Sequence, residues 1–402
     1  SSEEIKLGSL SGNRFDIALR NIDIGDAPGG SDKRQLVQKK LEDAGNSLKG
    51  HGFINYFGMQ RFGKFGDTHK VGIAILKGES EGAVNIIMRE KTDESPRIAG
   101  ARRQWAMRFD SVDVAKDENA AREAEMKCAR AIQRDMGRFM VCEKSIVNSL
   151  SRKPRDYKRA FSSISKNMRS MFLHAYQSYL WNMVATHRIE TGGSTEVKVG
   201  DLVLVNDGKS PQKSGGSTSG LKGKAVKLVE EQDLDGRYSI TEVVLPLAGS
   251  KIQYPGGSAG DLFDELMNQD GISKEDFARI GANDRELSLG GDYRKIICKP
   301  SDVTFEVKSY NDPLQPLMKT DLMKVNDVDI TAPTVRTDNE EEKDSQTMDD
   351  DNTIFGMVVG FSLPPSSYAT IALRELMKRP TSSEYQSKLE LSGKCERNVL
   401  SS

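Results

Sequence analysis

The stretch that decides the fold is Asn13 to Ile22, NRFDIALRNI, in which Phe15, Ile17 and Leu19 alternate with polar residues. A period of two sets those three side chains on one face of a β-strand. A single strand cannot hold itself together, so its sheet neighbours must come from other segments. Alternation returns in Val197 to Asn206 and, near the other end, in Ser301 to Ser309 (Val303, Phe305, Val307) and Ile354 to Leu363. Pairing the two late strands with the first gives an α+β fold. Its sheet is mixed and largely antiparallel, built from both ends of the chain, and a helix-rich middle interrupts it.

Outward from that strand, Ser31 or Asp32 can cap a helix with Leu36, Val37, Leu41, Ala44 and Leu48 on one face, ended by Gly50. The segment beginning NYFG follows as a strand or turn. His69 to Arg89 reads as helix-rich, Ala120 to Leu150 as one long helical pattern, and Phe161 to Arg188 as a helix. The apolar stripe of the last, Met168, Phe172, Ala175, Tyr179 and Met183, is assigned to the core. Gly208 to Gly223 reads as a flexible Gly, Ser and Lys-rich loop, and its glycines have neither the P-loop nor the dinucleotide spacing.

With 402 residues the chain exceeds the usual size of one core, so two units or one domain with a large insertion are expected. No apolar run approaches the roughly 20 residues of a membrane helix. The four cysteines lie far apart, which argues against a disulfide framework and a zinc site and points to a reducing, intracellular compartment. The four histidines form no HExxH pattern, and no GxSxG elbow occurs, so metal hydrolysis and acyl transfer lack their usual signatures. No targeting peptide is visible in SSEEIKLGSL, which leaves nucleus and cytoplasm both open.

The net charge of -1 hides an uneven distribution. Arg152, Lys153, Arg155, Lys158, Arg159, Lys166 and Arg169 share their segment with one acid, Asp156, whereas Asp338 to Asp351 carries eight acids and one Lys. The basic segment could track a phosphate backbone by releasing condensed counterions, and it would equally suit a solvated helix face. The acidic segment, 336–352, reads as a disordered surface loop.

Gly50 to Gly66, GHGFINYFGMQRFGKFG, concentrates glycines with Phe53, Tyr56, Phe57, Phe62 and Phe65. Glycines allow tight turns and close approach of a ligand, and the rings offer faces on which a base gains about 1 to 3 kcal/mol by stacking. A buried turn packed by aromatics would have the same composition.

Asn55 to Gly63 resembles the NYFGxQRFG signature of the TruD family of pseudouridine synthases, residue for residue. Further matches lie in the same order: Leu10 to Phe15 (LSGNRF), Thr68 to Leu76 (THKVGIAIL), Phe172 to Trp181 (FLHAYQSYLW), Gly290 to Ile296 (GGDYRKI) and Leu363 to Leu376 (LPPSSYATIALREL). The inserts resemble those of eukaryotic members. The resemblance implies a pseudouridine synthase catalytic sheet from residues 1–83 and 301–402, interrupted by a TRUD insertion at 84–300. It implies isomerisation of uridine to pseudouridine in RNA, tRNA first and mRNA as a further class, with no cofactor, no metal and no membrane. By the same resemblance Asn55 organises the catalytic turn and contacts substrate, Phe57 lines the uracil pocket, and Tyr368 sets its ring against the base. For Gln60 and Arg61 a structural role in the turn and a phosphate contact both stay open.

The family's catalytic Asp belongs to a Gly-Thr-Lys-Asp-type motif before LSGNRF, and Ser1 to Ser9 does not match it. The expectation is therefore an incomplete N-terminal part of the catalytic domain and no turnover by this chain alone. The alternative is a non-catalytic RNA-binding fragment or isoform.

Overall fold

A computed structural model of the chain describes residues 11–22, 31–205, 225–283, 287–327 and 354–380, together with Tyr385. The Gly208 to Gly223 loop and the acidic 336–352 loop lie outside the described residues. The chain forms two compact units, one from Ser1–Asn55 and Ile297–Ser402, the other from Tyr56–Lys213 and Leu221–Ile296.

The first unit opens with β1 (Asn13–Leu19), α1 (Ser31–His51) and β2 (Phe53–Ile54). The second runs through α2 (Thr68–Lys77), α3 (Ser80–Met88), α4 (Pro96–Ala106), α5 (Glu118–Ile132), α6 (Val141–Leu150), α7 (Tyr157–Ser162) and α8 (Lys166–Gly192). It continues with β3 (Leu202–Leu204), β4 (Val226–Leu228), β5 (Val243–Leu247), α9 (Gly257–Gln269), α10 (Lys274–Asn283) and β6 (Asp292–Lys295). The chain then returns to the first unit with β7 (Ile297–Cys298), β8 (Ser301–Tyr310), α11 (Asp321–Val325), β9 (Ile354–Leu363) and α12 (Ala369–Met377).

In the first unit the opening strand finds its partners near the far end of the chain, as its alternation requires. β9 lies in the middle of the sheet, antiparallel to β1 from Asn13↔Leu363 to Leu19↔Met357 and antiparallel to β8. Met357, Val359, Phe361 and Leu363 of β9 are buried, and Phe15 packs its ring 5.9 Å from that of Phe361. α1 covers this sheet at β8, where a Cβ on Gly45 would lie 2.6 Å from Phe305 Cδ1. α1 ends where Gly52, with φ of 74°, donates its N–H to Leu48 O, the left-handed conformation glycine adopts at no steric cost. β2 follows at once and pairs antiparallel with β7.

In the second unit, α2 to α8 surround a core that includes Val84, Met88, Trp105, Ile132, Ile146, Leu150 and Phe161, beside a four-stranded antiparallel sheet in the order β4-β3-β5-β6. Two arginines inside it are fully paired. Arg102 bridges Glu94 and Glu143 and donates to Ile87 O, and Arg108 donates to Glu125, which also accepts from Tyr157 Oη at 2.5 Å. Buried charge persists only with such partners.

The compact units divide after Asn55, and α2 packs against α3 and α8 within the second. Two sequence expectations shift. The helical pattern from Ala120 to Leu150 is two helices, since a turn at 133–140, with Met140 N–H donating to Gly137 O, separates α5 from α6. The stripe assigned to the core of the Phe161 to Arg188 helix is only partly buried. Met183 is 42% exposed, while the face that packs carries Leu173, Tyr176, Leu180, Trp181 and Val184.

Candidate functional site

The NYFGMQRFG segment leaves the first unit at Asn55 and enters the second at Tyr56. In the first unit Asn55 follows β2 and is buried. β2 packs against α12, whose N-cap is Tyr368. Phe53 pairs with Cys298, and the Cys298 thiol donates to Ser367 Oγ at 3.4 Å, next to Tyr368. Asn55 and Tyr368 thus flank neighbouring elements of the same unit.

In the second unit the segment folds into a turn closed by its own backbone. Arg61 N–H donates to Gly58 O and Phe62 N–H to Met59 O, giving a 3-10 turn at Met59–Arg61. Thr68 Oγ1 donates to Phe62 O at 2.6 Å and so ties the turn to the start of α2. Gly63 has φ of 73°, and a Cβ there would sit 2.8 Å from Thr68 Oγ1.

Phe57 is held through its backbone by Asn182 and through its ring by Arg294, Arg61 and Trp181. Its N–H donates to Asn182 Oδ1 at 2.9 Å, and Asn182 Nδ2 donates back to Phe57 O at 3.1 Å. The Arg294 guanidinium lies 4.0 Å from the ring centroid and that of Arg61 5.5 Å, while Trp181 meets the ring edge-on at 5.7 Å and 87°. The ring is 6% exposed. It is a packed wall rather than a free stacking platform. Phe53 is buried as well, Tyr56 bonds Thr186 Oγ1 at 2.9 Å, and the Phe65 ring lies under Lys64 and Lys91. Of the five rings only Phe53 and Phe57 are buried, while Tyr56, Phe62 and Phe65 are half-buried, so a buried aromatic turn describes two of them.

Arg61 is different. Its Nε is buried and has no hydrogen-bond partner among the described residues. A buried guanidinium N–H without an acceptor costs free energy, and an incoming phosphate or carbonyl oxygen would relieve it. Gln60 beside it is exposed. Arg61 also acts on His174. Burial holds the His174 imidazole below its ordinary range, and the Arg61 charge pushes in the same direction. The neutral ring donates from Nδ1 to Gln177 Oε1 at 2.8 Å, an orientation fixed because Gln177 Nε2 donates to Ala248 O. Behind the turn, Phe62 meets His69 edge-on, and His69 stacks on Tyr179 at 4.6 Å and 13°. The pair borders a cleft of about 390 Å³ with Lys70, Glu79 and Asp270 over an apolar floor of Ile73, Ala74 and Ile86.

The basic segment divides. Arg152, Lys153, Lys158 and Arg159 are exposed around the end of α6 and on α7. Arg155 is turned inward: its side chain is 18% exposed, it donates to Tyr157 Oη and Glu81, and it lies 5.3 Å from the Phe109 centroid. An arginine spent on those partners is not free to meet phosphates.

A family model for tRNA pseudouridine synthase D (TruD) matches residues 1–376. The chain belongs to the TruD family. Two relatives are the multisubstrate pseudouridine synthase 7 of Schizosaccharomyces pombe, 32% identical over 95% of this chain and 51% of that protein, and the pseudouridylate synthase 7 homolog of Mus musculus, 34% identical over 96% and 49%. The chain spans about half the length of these curated relatives. The crystal structure of a TruD from Methanosarcina mazei has the same fold, with a TM-score of 0.62 at 23% identity over 94% of this chain and 71% of that one. Within the TruD pattern, Trp181 and Arg294 fall in FLHAYQSYLW and GGDYRKI, the motifs whose roles the sequence left unassigned. Their spacing along the chain gave no sign that both converge on Phe57.

Proposed function

We propose that this chain supplies the uridine-binding and RNA-binding parts of an RNA pseudouridine synthase acting on tRNA, with mRNA as a further substrate class. The observation that carries this reading is the family match across residues 1–376. The reaction breaks the N1–C1′ glycosidic bond, turns the uracil, forms a C5–C1′ bond, loses the C5 proton to solvent and takes up a proton at N1, so atoms balance without an oxidant. Detached uracil must be enclosed and kept from water. Phe57, fixed through Asn182, Trp181 and Arg294, is proposed as a wall of that enclosure, and Arg61 as the donor to a phosphate or uracil oxygen. Asn55 and Tyr368 are proposed as further substrate contacts. Arg152, Lys153, Lys158 and Arg159 are proposed to follow the phosphate backbone.

The group that attacks or deprotonates the nucleotide is proposed to be an Asp on a Gly-Thr-Lys-Asp-type segment, which residues 1–402 do not contain. A second reading, RNA binding without turnover, rests on the exposed cations Arg152, Lys153, Lys158 and Arg159. Among the described residues no helix is long and apolar enough to cross a membrane. Nucleus or cytoplasm is proposed as the compartment.

Tritium release tests the proposal. The chain, fused to such an Asp-bearing segment, is incubated with tRNA carrying 5-tritiated uridine. Catalytic release of tritium into water is expected. A folded fusion that binds the RNA yet releases none would leave only the binding reading.

A further inference from the structure

In the second unit, the turn between α5 and α6 leaves Phe139 93% exposed, the largest exposure among the large apolar side chains described. The turn is anchored rather than loose. Met140, the next residue, packs against the helical core, its Sδ accepts from Gly137 N–H at 3.2 Å, and Met136 on the other side is buried. The fold therefore spends neighbouring apolar groups inward and holds one ring out in water, where an isolated Phe gains nothing for stability.

The charges around it are one-sided. Asp135 is neutralised by Arg97, whose Nε reaches it at 2.6 Å, and Glu143 is held by Arg102 and Lys91. Arg130 in the last turn of α5, and Arg134 and Arg138 in the turn itself, are exposed, and their side chains have no hydrogen-bond or ion-pair partner among the described residues. Val141, two residues along the chain, is exposed as well. Exposed cations without partners on the same turn as a projecting aromatic ring are complementary to a polyanion that carries planar groups, where one ring stacks a base and neighbouring guanidiniums meet phosphates. A purely apolar partner would leave three arginines to be desolvated without acceptors.

We propose that the Arg134–Phe139 turn is an accessory docking site for single-stranded RNA, with one base stacked on Phe139 and phosphates held by Arg134 and Arg138. It is distinct in sequence from the Phe57 turn and from the Arg152 to Arg159 cations. The proposal rests on the RNA-binding reading above.

The test is fluorescence anisotropy of a labelled oligouridine about 12 nucleotides long, the upper range for one such surface, titrated with the whole chain at several salt concentrations. Phe139→Ala and Phe139→Leu should each weaken binding about tenfold with the salt slope unchanged, because the lost contact is a stack. Arg134→Gln with Arg138→Gln should lower the log–log salt slope by about 1.4, two single-strand phosphate contacts. All of these side chains are exposed, so folding is not at risk. Wild-type affinity in both Phe139 variants, with the parent chain binding RNA, overturns this site and leaves the general reading standing. If the parent binds no RNA at any salt, both fall. If Phe139→Ala abolishes self-association seen by sedimentation while RNA affinity is unchanged, the ring is a protein contact and the proposal is overturned.

Discussion

Arg294 is 3% exposed and holds its guanidinium 4.0 Å from the Phe57 centroid and 5.4 Å from that of Trp181. Desolvated cation–π contacts are worth about 2 kcal/mol, and Arg294 also reaches Tyr56 O. Arg294→Met should therefore lower stability by about 2 to 4 kcal/mol in urea unfolding, whereas a loss below about 0.5 kcal/mol would mean that the stack contributes little. The histidines make a pH prediction. Burial is the main cause holding His69 and His174 below 6.5, their ordinary value, so the unfolded chain binds more protons just below it. Their contribution is whole above pH 6.5 and is lost as pH falls through the lower folded-state values. The urea midpoint should drop between about pH 7.5 and about pH 5.5, and drop less in His174→Gln. Equal drops would put the titration elsewhere. At this scale the sequence marked Phe57 and Arg61 but not their partners, because Asn182, which clamps the Phe57 backbone, lies 125 residues on and nothing local announces it.

Elements were legible where a pattern had to satisfy one buried face. β1 alternates because one side packs on Phe361, and its register with β9 follows from the matching faces. Helix interruptions were less legible. Ile132, Met136 and Met140 keep apolar spacing through the turn between α5 and α6, and only Gly137 hints at the break. Close helix contact was not readable at all. A Cβ on Gly72 in α2 would lie 2.4 Å from Phe172 O and 3.1 Å from Tyr176 Cβ, both on α8. Alanine improves helix propensity by about 1 kcal/mol, but overpacking against a backbone carbonyl costs about 1 to 3 kcal/mol. Gly72→Ala is expected to be net destabilising in urea unfolding, and a gain in stability would show that α2 and α8 can separate freely.

Across the whole molecule, the sequence motifs lie in both compact units, and the same family match runs through both. RNA binding should be salt-dependent because its proposed contacts are cationic. Neutralising Arg152, Lys153, Lys158 and Arg159 to Gln should lower the log–log salt slope by up to about 2.8 on single-stranded RNA, and an unchanged slope would make them a solvated helix face. Substituting Arg155 should instead lower stability, since its side chain serves Glu81 and Tyr157. The Phe57 turn is proposed to enclose the uracil. The most direct measurement is tritium release by the Asp-bearing fusion with Phe57→Leu, alongside RNA affinity and thermal unfolding. Turnover should fall by about two orders of magnitude, with RNA affinity within about twofold and a cooperative transition preserved. Unchanged turnover in the folded variant would contradict it.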